Sequence, residues 1–301
     1  MSATPGKVLV SGSSGLIGAA LVRRLTAKGW QVTRLIRTIP SGAAQITWDI
    51  ARPIPPQSVS GFDAVLHLAG ESIAERWTEA KKRAVRDSRV VGTRNISEAL
   101  AHAAERPAVL LSASAIGIYG DRGDQVLDEQ SSPGEGFLAE VCREWESATE
   151  AASKAGIRTV QARFGIVLSR SGGALAKMLG PFRLGVGGKV GSGRQWWSWV
   201  ALDDVIGAIE HVMKTGTLAG PVNVVSPNPV TNREFTRSLA SAVARPAVFP
   251  MPAWAARLAL GEMANELLLA SQRVEPARLR VSGYRFARSD LGSALVSILG
   301  N

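Results

Sequence analysis

The sequence predicts an α/β fold built on a doubly wound parallel sheet, with a small, mostly helical lobe toward its C-terminal end. Three observations predict it. Apolar strand-like runs alternate with amphipathic helix-like runs from the start of the chain, a spacing that calls for parallel pairing and crossover connections. The runs "DAVLHLAG" and "AVLLSAS" are nearly continuously apolar, as strands buried on both faces of a parallel sheet must be. Beyond about residue 169 the alternation gives way to Gly- and Trp-rich loops and then to helical periodicity.

The elements follow in order. "KVLVSG" reads as a buried first strand and "LIGAALVRRLTAKG" as an amphipathic helix stopped by Gly29, a natural C-cap. "WQVTRLIR", "AQITW" and "DAVLHLAG" read as further strands, followed by a long helix over about 77–104 and the strand "AVLLSAS". A helix over about 137–154 leads into the strand "IRTVQARFGIVL". After "RLGVGGKVGSGRQWWSWVALDD" come the helix "LDDVIGAIEHVMKTG", the strand-like "PVNVVS", the helix "TNREFTRSLASAVA" and a helical C-terminal stretch. The expected division is a nucleotide-binding domain over 1–170, joined by later sheet segments near 196–226, and a substrate-facing lobe made of 171–195 and 227–301. Trp196, Trp197 and Trp199 either cover a planar or apolar ligand or pack a strand against the sheet. Asp203 and Asp204 are placed to cap the next helix.

Bulk properties narrow the function classes. The chain has 301 residues, 46% hydrophobic and 20% charged, the balance of an ordinary globular protein. Its apolar runs are too short and too interrupted to cross a bilayer, so no membrane partner is expected. The first residues run straight into a strand without a secretory leader, and a cytoplasmic location is the default expectation. One cysteine excludes an intramolecular disulfide and a four-thiolate metal site; no metal site is expected. The net charge of +10 raises nucleic acid as a ligand. The basic residues are spread, however, and neither "KKRAVRDSR" nor "RLRVSGYRFAR" carries a nucleic-acid-binding signature. A solvated basic face that also suits an anionic small ligand is the expected reading, and a homodimer is compatible with it.

The most informative motif is "SGSSGLIG", which spaces Gly12, Gly15 and Gly18 three residues apart between the first strand and first helix. The first glycine permits the sharp turn, the second lets backbone approach a pyrophosphate, and the third lets helix pack on sheet. The helix N-terminus then offers free N–H groups and a positive dipole end to the phosphates. This context makes the sheet Rossmann-type; a P-loop is excluded because no Gly-Lys is followed by Ser or Thr. The second strand ends "RLIRT" with Arg37 and no carboxylate. A carboxylate there would bind a ribose 2′-OH, whereas an arginine pairs with a 2′-phosphate. NADP is therefore the expected cofactor, with Arg34 either assisting or facing solvent.

These glycines, together with "HLAGE", "LLSASAIGIYG", "SRVVGTRNI" and "WSWVALDDV", resemble the extended short-chain dehydrogenase/reductase superfamily. The segments "RFGIVLSRSGGALAKMLGPFRLGVGG", "GSGRQWWSWV" and "LASQRVEPARLRVSGYRF" narrow the likeness, which runs end to end, to the atypical SDR39U1-like group of epimerase-family proteins within the NAD-dependent epimerase/dehydratase superfamily. The resemblance implies an extended Rossmann fold and NADP binding. The cofactor set it implies is Gly12, Ser14, Gly15, Leu16, Ile17, Gly18, Arg37, Asp49, Leu68, Ala69, Gly70, Arg89 (in place of the usual Asn) and Ser112.

Members of that superfamily carry a Tyr-x-x-x-Lys pair on the helix that here reads "FLAEVCREWE". Alignment on its Trp-Glu places Leu138 in the tyrosine slot and Cys142 in the lysine slot; Leu has no proton to give and a thiol is not a cation. The chain's two tyrosines are followed four residues on by Gly123 and Arg288, so the pair exists nowhere. Leu138, Val141, Cys142 and Trp145 fall at i, i+3, i+4 and i+7, the spacing of a packed helix face. The remaining catalytic candidates are Ser114, at the productive end of its strand, and Tyr119, on the loop beyond. The expectation is an NADP-binding oxidoreductase or epimerase-like enzyme with a divergent active site, acting on a small molecule. The alternative is a non-catalytic NADP-binding sensor or scaffold.

Overall fold

Strand β1 (Lys7–Ser11) is buried at every position but its first, because its residues face helices on both sides of the sheet. Around it assemble β2 (Gln31–Ile36), β3 (Gln45–Thr47), β4 (Ala64–His67) and β5 (Val109–Ala115), then the strands Arg158–Phe164 and Gly220–Val224. All seven are parallel. From one edge to the other the order is Gly220–Val224, Arg158–Phe164, β5, β4, β1, β2, β3. The order reverses between β1 and β4, which leaves a crevice at their carboxyl ends. The computed structural model describes residues 6–300, so the expectation about the first residues of the chain lies outside the described part.

Two helical layers sandwich the sheet. Helix α1 (Leu16–Ala27) stops where Gly29 takes a left-handed φ of 85°, as its sequence position requires. Helix α2 (Glu79–Ala101) starts at the Thr78 cap, which accepts the Lys81 N–H. At Gly92 it packs against the stretch that follows β3, where a Cβ would come 3.2 Å from the Trp48 ring. The helix expected over 137–154 is two helices, α3 (Phe137–Ser147) and α4 (Glu150–Lys154). The break leaves the Thr149 hydroxyl bonded to the Glu146 carbonyl and lets the Ala152 N–H reach the buried Ser97 hydroxyl.

Past the sixth strand the chain leaves the sheet. Ile166–Leu168 pairs with Trp199–Ala201 in a separate parallel ladder, and helices α5 (Gly173–Arg183), α6 (Leu202–Lys214), α7 (Asn232–Ala242), α8 (Ala253–Leu260), α9 (Ala277–Val281) and α10 (Leu291–Leu299) follow. Trp197 and Trp199 lie in a second apolar core with Phe182, Phe235 and Leu295. Of the two readings of the tryptophans, packing is the one observed. Trp196 is held at its edge by the Asp124 carboxylate and stacks on Arg273.

Asp204 departs from its expected role as a helix cap. The N-cap position of α6 is Ala201, and no side chain caps it. The buried Asp204 carboxylate instead accepts the Ala287 and Arg288 N–H groups at 2.7 and 2.8 Å and the Tyr284 hydroxyl at 3.2 Å. It fastens the late segment 284–288 onto the sheet domain.

Candidate functional site

The crevice between β1 and β4 is shaped by backbone rather than by side chains. Gly12 has φ 66°, and a Cβ on it would lie 2.5 Å from the Leu68 carbonyl oxygen; one on Gly18 would collide with the Gly12 carbonyl. Only glycine allows the first turn, the "HLAG" turn and α1 to meet this closely. Gly15 is exposed and begins α1 in extended conformation, with no side-chain cap and no acid in the first turn. The N-terminal N–H groups of α1, at Leu16 and Ile17, therefore face the crevice with the positive end of the helix dipole and no competing anion.

Below the turn, Ser11 and His67 tie β1 to β4. The Ser11 oxygen accepts the Leu68 and Ala69 N–H groups at 3.2 and 3.3 Å, so its own proton goes to His67 Nδ1 at 2.6 Å. That bond fixes a neutral ring with its proton on Nε2. Nε2 has no hydrogen-bond partner among the described residues, and the ring packs edge-on to Trp48. Complete burial pulls the His67 pKa down to about 4.

Two arginines border the crevice. The Arg89 guanidinium lies over the Trp145 ring at 5.1 Å and within 3.5 Å of where a Gly70 side chain would start. It donates to the Val85 carbonyl at 3.1 Å, and burial lowers its pKa. Arg37, exposed beyond the end of β2, acts electrostatically with Arg89 on Glu71, whose pKa is lowered first by its hydrogen bond from Lys81. Neither arginine forms an ion pair among the described residues. Asp49 stands at the same sheet edge on the turn after β3, where it accepts the Ala51 N–H. Gly12, Ser14, Gly15, Leu16, Ile17, Gly18, Leu68, Ala69, Gly70, Arg37 and Arg89 are thus brought to one edge of the sheet. Ser112 is not: it is buried within β5, level with His67, and its hydroxyl contacts the Ala113 carbonyl.

Ser114 and Tyr119, the two catalytic candidates, are both engaged by internal partners. Ser114 is 2% exposed and Tyr119 fully buried. Ser114 donates to Glu146 at 2.7 Å; Arg163 grips the same carboxylate through Nε and a terminal nitrogen, both at 2.8 Å. The other guanidinium nitrogen donates to the Tyr119 oxygen at 2.9 Å, and the tyrosine proton has Asn223 Oδ1 at 2.8 Å and the Asp128 carbonyl at 2.9 Å as acceptors. Burial pushes the Tyr119 pKa up to about 12. Burial works against the Arg163 charge, but the Glu146 bonds outweigh it and raise its pKa. Both hydroxyls are components of a buried ion-pair network.

Helix α3 turns the face defined by its apolar spacing into the protein interior. Leu138, Val141, Cys142 and Trp145 are all buried, and the Cys142 thiol is pushed up to about 12 by burial, which makes it inert at neutral pH. Leu138 also borders a cavity of about 370 Å³ whose lining includes Gly117, Arg257, Gln272 and three acids, Asp121, Glu135 and Glu266. Glu266 lies in a short π-helical turn, Ala264–Leu269, and its two oxygens accept the Phe137 and Leu138 N–H groups at 2.9 and 2.8 Å. Burial raises its pKa against the opposing pull of those two bonds. Sequence reasoning passed over Glu266; an acid in the apolar run "ANELLLA" was the available signal.

The parallel sheet, its strand order and the glycine turn define an α/β protein of the extended short-chain dehydrogenase/reductase type. Comparison with known proteins agrees. Residues 8–226 match the NAD dependent epimerase/dehydratase family, and residues 251–298 match a domain of unknown function, DUF1731. The chain belongs to the NAD-dependent epimerase/dehydratase family. It is 43% identical over 290 residues to the epimerase family protein Mb2239 of Mycobacterium bovis, covering 96% of each chain. It is 35% identical to the epimerase family protein YfhF of Bacillus subtilis, covering 98% of each. The crystal structure of human epimerase family protein SDR39U1 (isoform 2) with NADPH superposes with a TM-score of 0.90 at 34% identity, covering 98% of this chain and 99% of that one.

Proposed function

We propose that this protein binds NADPH in the crevice between β1 and β4 and acts as an oxidoreductase or epimerase-like enzyme with a divergent active site. The observation that carries the reading is the pair of arginines, Arg37 and Arg89, at a glycine-turn crevice, neither ion-paired among the described residues. A 2′-phosphate at the end of β2 supplies the counter-charge that Arg37 lacks, and the pyrophosphate takes the α1 N–H groups. The NADPH in the human relative's structure supports the same cofactor. Asp49 completes the set at the sheet edge, and Ser112 is assigned a supporting role within β5.

Bound NADPH supplies a hydride. The proton must come from elsewhere, because Leu138 and Cys142 replace the usual pair, and Ser114 and Tyr119 are engaged internally. Glu266 is the acid that touches the Leu138 backbone, borders the cavity and has a raised pKa, so we assign it the proton exchange with the substrate oxygen. The alternative, a non-catalytic cofactor sensor or scaffold, is favoured by that same loss of free hydroxyls.

Paired fluorescence titrations test the cofactor. NADPH is expected to bind about ten- to a hundredfold more tightly than NADH, with the preference abolished by Arg37→Ala; equal affinities would remove the basis of the reading. Glu266→Gln, which keeps the side-chain volume, is expected to lower NADPH oxidation about a hundredfold on any carbonyl substrate found by screening, with NADPH affinity unchanged. If NADPH binds tightly, a broad substrate panel gives no turnover, and cofactor shifts the sedimentation coefficient, the sensor reading replaces the enzyme one.

A further inference from the structure

We propose that the outer edge of the C-terminal lobe is a docking surface for an anionic lipid bilayer, bound peripherally. The surface is made of two stretches of chain. Residues 184–191 and 246–252 run side by side, joined by the Phe249 N–H to the Gly187 carbonyl, the Met251 N–H to the Lys189 carbonyl and the Gly191 N–H to the Met251 carbonyl. Helix α8 begins immediately after them. Large apolar side chains that globular proteins normally bury stand in solvent here. Leu184 is 79% exposed, Phe249 59%, Trp254 67% and Leu258 73%, with Val186 and Val248 also exposed. Trp254 and Leu258 lie at i and i+4, on one face of α8. A concentration of this kind marks an interaction site rather than scattered surface apolarity.

Charge selects the occupant. The stretches 181–194 and 244–260 contain Arg183, Lys189, Arg194, Arg245 and Arg257 and no aspartate or glutamate. None of the five makes an ion pair among the described residues; Lys189 and Arg245 donate to backbone carbonyls, and Arg257 to Asn265. Aliphatic and aromatic tips on two stretches that carry five cations outside any ion pair and no acid match the boundary of acyl chains and anionic headgroups. A second copy fits poorly, because a two-fold dimer apposes the same patch on both subunits and would bring these cations against one another. Nucleic acid would engage the cations but leave Leu184, Val186 and Leu258 without an apolar partner. Among the described residues no helix is long and apolar enough to cross a membrane; that bears on spanning alone, so this contact revises the expectation of no membrane partner only for the bilayer surface.

Co-sedimentation of the full chain with vesicles of neutral phosphatidylcholine, with and without 30 mol% phosphatidylglycerol (about that of an anionic leaflet), reads the contact. Binding to the anionic vesicles is expected to exceed neutral binding by at least about tenfold. It is expected to fall about tenfold in Trp254→Ser/Leu258→Ser, which leaves the net charge unchanged. Brominated acyl chains should quench a fraction of the fluorescence that disappears in Trp254→Phe. Unchanged binding in the double variant would reduce the effect to general adsorption of a basic protein and overturn the proposal. So would absence of vesicle binding, or a dimer in sedimentation equilibrium that the double variant dissociates. Because NADPH affinity is measured separately in the same variants, failure here leaves the cofactor reading intact.

Discussion

Glu146→Ala is expected to destabilise the protein by about 3–5 kcal/mol, the cost of stranding a buried charge. The Arg163 side chain is 7% exposed and that of Glu146 15%, so water cannot replace the lost carboxylate. The substitution would orphan two guanidinium donors and the Ser114 hydroxyl at once, and would leave a cavity beside α3. Replacing both charges by apolar groups of similar volume, Glu146→Leu/Arg163→Met, is expected to recover most of that loss, limited by the Tyr119 oxygen that Arg163 also serves. Urea unfolding midpoints of the single and double variants make the comparison. A single-variant loss below about 1 kcal/mol would put the pair in the class of weak surface bridges and return Ser114 and Tyr119 to consideration as reactive groups.

The second large effect is on pH. His67 is neutral in the fold, with its pKa pulled to about 4 from the ordinary 6.5 by burial. Between those values the unfolded chain holds a proton that the folded chain does not, so folding stability declines as pH falls. The contribution is fully present above about 6.5, is lost progressively down to about 4, and amounts to about 3 kcal/mol. His211, also lowered by burial, adds a smaller loss of the same sign because it is partly open to solvent. Glu129 and Glu266, raised by burial, oppose it, since they take up protons more readily folded than unfolded. Comparison with His67→Phe separates the terms. That variant is expected to be less stable at pH 7.5, because Ser11 loses its acceptor, yet to lose about one proton's worth of pH dependence between 6.5 and 4. An unaltered pH dependence would mean that His67 titrates normally. Because Ser11 and His67 stand directly beneath the "HLAG" turn, acidification is also expected to loosen the crevice before the rest of the sheet.

How much of this was legible varied with the range of the interactions. The glycine turn was readable because its cause is local: φ at Gly12 and the approach of Gly18 are set within a dozen residues and by one following turn. The packed face of α3 was readable for the same reason, as a helical period in one short segment. The break between α3 and α4 was not, since the hydroxyl that receives the Ala152 N–H belongs to Ser97, 55 residues earlier. The internal partners of Ser114 and Tyr119 were not readable either, because they are distant; the Tyr119–Asn223 bond spans 104 residues. Glu266 reaches the α3 N-terminus across 128, a pairing that no motif announces.

By itself, then, the sequence determined the parallel sheet, its dinucleotide turn, an arginine where an acid would select the other cofactor, and the loss of the proton-transfer pair. Periodicity, backbone freedom and side-chain chemistry are properties of short segments, and they survive in any context the segment can adopt. Only the tertiary structure decided which hydroxyls are satisfied, which acids line the cavity and which apolar side chains are left in water. Hydrogen-bond satisfaction, desolvation and exposure belong to pairs of surfaces, and those surfaces meet only after folding.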